Sequence, residues 1–85
     1  MDYTKSNTKI EIIYRNKKIA KAIRKAIIPD NIGLSDGENI VVQTNNNVLK
    51  IEIFSKSLGR LIATLDDLLS CVQAAEKTLE EINFF

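Results

Sequence analysis

Between residues 58 and 82 the chain carries apolar side chains at Leu58, Leu61, Leu65, Leu68, Val72, Ala75, Leu79 and Ile82, with spacings that alternate three and four without a break. That rhythm is the seam of a helix, and it holds over more than three heptads. Ile62 and Leu69 widen the stripe in its first half, and Glu76 and Glu80 narrow it in its second. Ser55 or Ser57 can cap its start. About 25 residues rising 1.5 Å each span roughly 38 Å. A chain of 85 residues folds to a radius of gyration of only about 12 Å. The helix is therefore longer than its own domain needs, and whatever else the chain builds must cover one side of it.

The preceding residues supply a small sheet and a second helix. Lys9–Arg15 reads as a strand with Ile10, Ile12 and Tyr14 on one face. Asn16 can cap a helix from Lys17 to Ile27 whose inner arc holds Ile19, Ala22, Ile23, Ala26 and Ile27. Pro29 ends it, and the stretch from Pro29 to Gly37 is dense in turn formers. Asn39–Thr44 and Val48–Phe54 are strands, and the three asparagines between them tolerate the positive φ of a tight hairpin turn. The order β-α-β-β-α predicts an α+β domain with a three-stranded antiparallel sheet and both helices on one face. Residues 1–7 read as a flexible leader and 8–85 as a single domain.

Composition narrows the function classes. The chain has no histidine and one cysteine, Cys71, which removes the commonest general base and metal ligand and leaves no zinc set and no internal disulfide. No glycine-rich phosphate loop is present. Asp66 and Asp67 form the one adjacent carboxylate pair, but neighbours on a helix point about 100° apart and do not converge. The expectation is a non-catalytic protein with no metal, cofactor or small-molecule substrate. No apolar run approaches a membrane span, and with no signal-peptide core at the N-terminus the expected location is the cytoplasm.

Function then lies in surfaces. The net charge is only +1, yet Arg15, Lys17, Lys18, Lys21, Arg24 and Lys25 crowd residues 15–25, whereas residues 57–85 carry five acids against Arg60 and Lys77. Lys17, Lys18, Lys21, Arg24 and Lys25 share one helical arc that can follow a nucleic-acid backbone, contacting phosphates without reading sequence; a solvated helix exterior would look the same. On the last helix, Gly59, Ala63, Ser70 and Ala74, beside Cys71, form a stripe of small residues opposite the leucine seam, where another backbone can approach. The sheet offers two edges that must be blocked or paired. Self-pairing across one gives a two-fold dimer, unless charges such as Lys50 and Glu52 guard it. Phe84 and Phe85 make an apolar C-terminus.

One combination of motifs goes further. Pro29-Asp30-Asn31 follows the first helix, then comes the hairpin, then Ser57-Leu-Gly-Arg-Leu-Ile-Ala-Thr-Leu-Asp-Asp-Leu-Leu69, continuing to Gln73-Ala-Ala-Glu76. Over roughly residues 8–82 the chain resembles the small dimerisation subunit of the KEOPS complex, a family related to the cancer-testis-antigen proteins. The resemblance implies a non-catalytic assembly subunit of the machinery that makes threonylcarbamoyladenosine in tRNA. It would form a homodimer, or a heterodimer with a small accessory subunit, through its sheet. It would dock the TsaD-like catalytic subunit through helices and help hold tRNA. Carried over, the partner-binding positions are Gly59, Leu61, Ile62, Ala63, Asp66, Asp67, Leu69, Ser70 and Gln73. The alternative is a free-standing RNA-binding module acting through the basic first helix.

Overall fold

The structure, a computed structural model, describes residues 5–27 and 38–82. It has the expected order: β1 (Ser6–Ile13), α1 (Lys17–Ala26), β2 (Asn39–Asn45), β3 (Val48–Ser55) and α2 (Leu58–Glu81). The sheet is antiparallel in the order β1-β3-β2. Ile10 of β1 faces Ile51, and Ile40 of β2 faces Ile53. β1 begins three residues earlier than the alternation indicated, so Ser6 and Asn7, read as part of the leader, are paired with Ser55 and Phe54. The expected loop from Pro29 to Gly37 and the Phe84-Phe85 end lie outside the described residues.

Local chemistry sets each boundary. Asn16 has extended backbone, and its Oδ1 accepts from the Ile19 N–H at 3.0 Å, which supplies one of the donors a helix start leaves unpaired. Ser57 does the same for α2 through the Arg60 N–H at 3.2 Å. Ser55, the other capping candidate, is buried and accepts from the Ser57 N–H instead. The hairpin turn is tighter than three asparagines suggested. Asn45 pairs with Val48 across a two-residue loop, and Asn46 takes the left-handed conformation at φ 57°, which asparagine tolerates better than most side chains.

Both helices lie on one face of the sheet, α1 over β2 and β3, α2 over β3 and β1. The central strand therefore receives both: Leu49, Ile51 and Ile53 are fully buried, joined by Ile19, Ala20, Ile23 and Ile27 from the first helical segment and Leu61, Leu68 and Val72 from α2. Burying side chains of this size contributes about 1.5–3 kcal/mol each. Ala20, assigned to neither arc from the sequence, is buried, and Ala26, assigned to the inner arc, is exposed; α1 packs against α2 as well as the sheet. The seam of α2 is buried only through its middle. Leu58 and Ile82 at its ends are exposed, and Thr64 fills a buried position that the apolar pattern skipped.

α2 has 24 residues, about 36 Å at the usual rise, and the protein measures 49 × 21 × 16 Å. The helix runs along the long dimension. Its exposed ends carry little stability, whereas Leu68 sits in full contact. Leu68→Ala is expected to lower unfolding free energy by about 3 kcal/mol, and Leu58→Ala by less than about 0.5 kcal/mol, read as midpoint shifts in urea unfolding at constant slope.

Candidate functional site

The layer of two helices presents one continuous outer surface. On α1, Lys17, Lys18, Lys21, Arg24 and Lys25 are all exposed. They stay outside because the opposite arc is held by Ile19, Ala20 and Ile23. Arg24 differs from the lysines: its Nε donates to the Val42 carbonyl of β2 at 3.3 Å, so its guanidinium is anchored to the sheet margin.

On α2, Gly59, Ile62, Ala63, Asp66, Asp67, Leu69, Ser70 and Gln73 are likewise exposed. A Cβ placed on Gly59 would meet nothing within 4 Å, so the stripe of small residues faces open space within the monomer. Leu61 does not belong with them. It is 6% exposed and packs in the core, one helical position inward of the face to which the motif assigned it. Ile62, at 57% exposure, and Leu69, at 36%, are large apolar side chains without cover, whereas scattered single exposures of that kind are ordinary.

Three polar ties fix how α2 and the end of β1 sit. Thr64 Oγ1 donates to Glu38 Oε2 at 2.6 Å, fastening the first half of the helix to the entry of β2. Tyr14 Oη donates to Glu76 Oε2 at 2.6 Å, fastening the second half to the end of β1. Tyr14 is itself held from both sides of its backbone, its N–H donating to the Asn47 carbonyl at 2.8 Å and its carbonyl accepting from Asn47 Nδ2 at 2.7 Å. Burial, then the hydrogen bond and negative charge of Glu76, raise the Tyr14 pKa well above its ordinary 10.0. The sequence held signals for the Tyr14 tie: an aromatic with a polar tip on the core face of a strand, and an acid inside an apolar seam. Neither residue alone identifies the other.

The open face of the sheet carries cross-strand charges. Lys9 faces Glu52, with Nζ 3.8 Å from Oε2, and Glu11 faces Lys50. The sheet order corrects one expectation here. Lys50 and Glu52 are on the central strand and guard no edge; the edges are β1 and β2. Among the described residues there is no group of three or more potential metal-ligating His, Cys, Asp or Glu side chains, and no helix is long and apolar enough to cross a membrane.

The comparisons with known proteins decide the family. The family model described as transcription factor Pcc1 matches residues 7–80. The chain belongs to the Pcc1 family, the small subunits of the KEOPS complex. Among solved structures, a chain of the Gon7-Pcc1 binary complex superposes with a TM-score of 0.83 over 91% of this chain and 95% of its own length, at 13% sequence identity. At that identity the likeness carries the fold alone. No curated protein is similar enough to match.

The Tyr14 tie has a measurable pH signature. The unfolded tyrosine ionises near 10.0, whereas the folded one holds its proton to higher pH, so this stability is intact below pH 10 and is lost as pH rises beyond it. Tyr14→Phe is expected to cost about 1.5–3 kcal/mol at neutral pH, the range for a hydrogen bond to a charged group. It is also expected to remove that alkaline component, so that denaturation midpoints of the two proteins converge above pH 10.

Proposed function

We propose that this Pcc1-family protein is a non-catalytic assembly subunit of a KEOPS complex acting on tRNA in the cytoplasm. It would dimerise through its sheet and dock a TsaD-like catalytic subunit on the outer face of α2. The observation that carries the reading is the double-sided use of α2. Leu61, Thr64, Leu68 and Val72 are buried against the sheet, yet Gly59, Ala63, Asp66, Asp67, Ser70 and Gln73 on the far side stay open, within the stretch matched by the family model. Small side chains there let a partner helix approach closely, and the two aspartates give that approach a preferred charge. The basic arc of α1 faces away from the sheet on the same side, which gives tRNA held by the complex a surface to run along. The Gon7-Pcc1 complex is a pairing that includes a chain of this fold, and it supports a heterodimer with a small accessory subunit as readily as a homodimer.

In this reading no group of the chain acts on a bond. Dimerisation and docking raise the effective concentration of the catalytic subunits and orient their substrate. Ala63→Arg is expected to leave the melting temperature within about 2 °C, since an exposed substitution changes stability little, while abolishing co-elution with the catalytic subunit. Co-elution unchanged by Ala63→Arg would place docking elsewhere.

The second reading is a free-standing RNA-binding module, favoured by the five exposed cations of α1. Lys17→Glu, Lys21→Glu and Lys25→Glu combined are then expected to weaken tRNA binding by the isolated protein at least roughly tenfold and to flatten its salt dependence. Isolated protein that binds tRNA with no salt dependence, or not at all, leaves the assembly role standing alone.

A further inference from the structure

Of the three described strands, β2 alone carries no charge. β1 has Lys9 and Glu11 and β3 has Lys50 and Glu52, whereas β2 reads Asn39-Ile-Val-Val-Gln-Thr-Asn45. Ile40, Val41 and Val42 are β-branched in succession, and neither proline nor glycine interrupts the strand. Ile40 and Val42 pack on the core. Alternation puts Asn39, Val41, Gln43 and Asn45 on the opposite face, where three amides line up whenever like strands stack side by side. A neutral stretch of this composition pairs readily with a copy of itself once its backbone is accessible.

β2 is also an outer strand, so part of its backbone faces away from the sheet. The Tyr14 N–H donates to the Asn47 carbonyl, and backbone direction alternates along an antiparallel strand. Leu49, Ile51 and Ile53 therefore turn toward β1, and Val48, Lys50, Glu52 and Phe54 turn toward β2. The register sets these four opposite Asn45, Gln43, Val41 and Asn39. Ile40, Val42 and Thr44 are left pointing outward.

α1 reaches the middle residue of those three. Arg24 Nε donates to the Val42 carbonyl at 3.3 Å, in agreement with the outward direction derived from the register. α1 packs against β2, and around the helix Lys17 and Lys21 lie within about 60° of Arg24. The flank of α1 nearest the β2 margin is therefore basic. To pair at this edge, a further strand must offer its own N–H to the Val42 carbonyl, displace the guanidinium and lie close to three cations. Charged side chains at an edge are a general means of preventing such pairing.

We propose that Arg24 is a strap on the β2 edge, and that by holding the Val42 carbonyl it prevents β2 from pairing with β2 of a second copy. An outer strand that pairs freely lets copies add without a closed end. The strap keeps any assembly of this chain finite, and it sets Arg24 apart from the four lysines of the same helix, which make no such contact with the sheet margin. The inference is independent of the partners proposed above.

The test is self-association of the full chain without nucleic acid, followed by sedimentation velocity over a micromolar series, with thermal melts recorded by circular dichroism. Arg24→Ala is expected to form species heavier than those of the wild type, at concentrations at least about tenfold lower, because strand addition no longer has to break the guanidinium contact. Lys25→Ala removes the same charge from the next residue and is expected to sediment as the wild type does. Adding Val41→Lys to Arg24→Ala puts a charge into the neutral strand, beside Glu52 in the register, and is expected to restore wild-type behaviour. In the heavier species the amide protons of Ile40, Val42 and Thr44 are expected to exchange more slowly than in the wild type, and this readout decides the case even where the melt of Arg24→Ala shifts. Arg24→Ala that sediments with the wild type, equal association of Lys25→Ala, heavier species that persist with Val41→Lys, or heavier species in which those three amides exchange as before each overturns the strap.

Discussion

The fold depends on covering one strand. β3 is central in the sheet and receives both helices, so Leu49, Ile51 and Ile53 lose nearly all contact with water at once. A domain of this size buries a smaller share of its surface than a larger one does and keeps a narrow stability margin. Concentrating burial on one strand is how so short a chain makes a core at all. The polar ties at Thr64 and Tyr14 then determine the lateral position of α2 on that strand. Apolar contact alone is non-directional and would let the helix slide.

That arrangement has a consequence for function. A helix that covers β3 and β1 but is itself covered on only one side leaves a long surface, and the layer architecture gives α1 and α2 a shared outer face. The lysines of α1 and the small and acidic residues of α2 share that face because both helices must be on the same side of the sheet. In the function proposed above, such a surface can serve two partners, one along each helix. Membership of the Pcc1 family agrees with a protein built of surfaces.

Much of this was legible in the residues. The three-and-four spacing from residue 58 identifies α2, Asn16 and the serines at 55 and 57 mark the helix starts, and three asparagines mark the hairpin. These features are local: caps, turns and periodicity act within a few residues. Where the sequence reading slipped on packing, the cause was a distant neighbour. Leu61 belongs to the seam and is buried in it, so a motif that runs through both faces of a helix cannot be read as one surface. Thr64 is polar, yet Glu38 from outside the helix makes its burial tolerable. Ala20 is buried and Ala26 is not, in a helix that packs against α2 as well as the sheet.

The order of strands shows the division most clearly. Alternation along Ser6–Ile13, Asn39–Asn45 and Val48–Ser55 specifies that each is a strand and which of its faces is apolar, since side-chain direction follows from the backbone of the residue itself. It does not specify which strand is central, because that is settled by pairing among segments far apart in the chain. Only tertiary structure puts β3 in the middle, moves Lys50 and Glu52 off the edge and ties Arg24 to the β2 margin. The chain by itself determined its elements and the absence of a histidine, a second cysteine or a phosphate loop. The assembled fold decided which strands pair with which, because a hydrogen-bond partner is a property of neighbours and not of the residue itself.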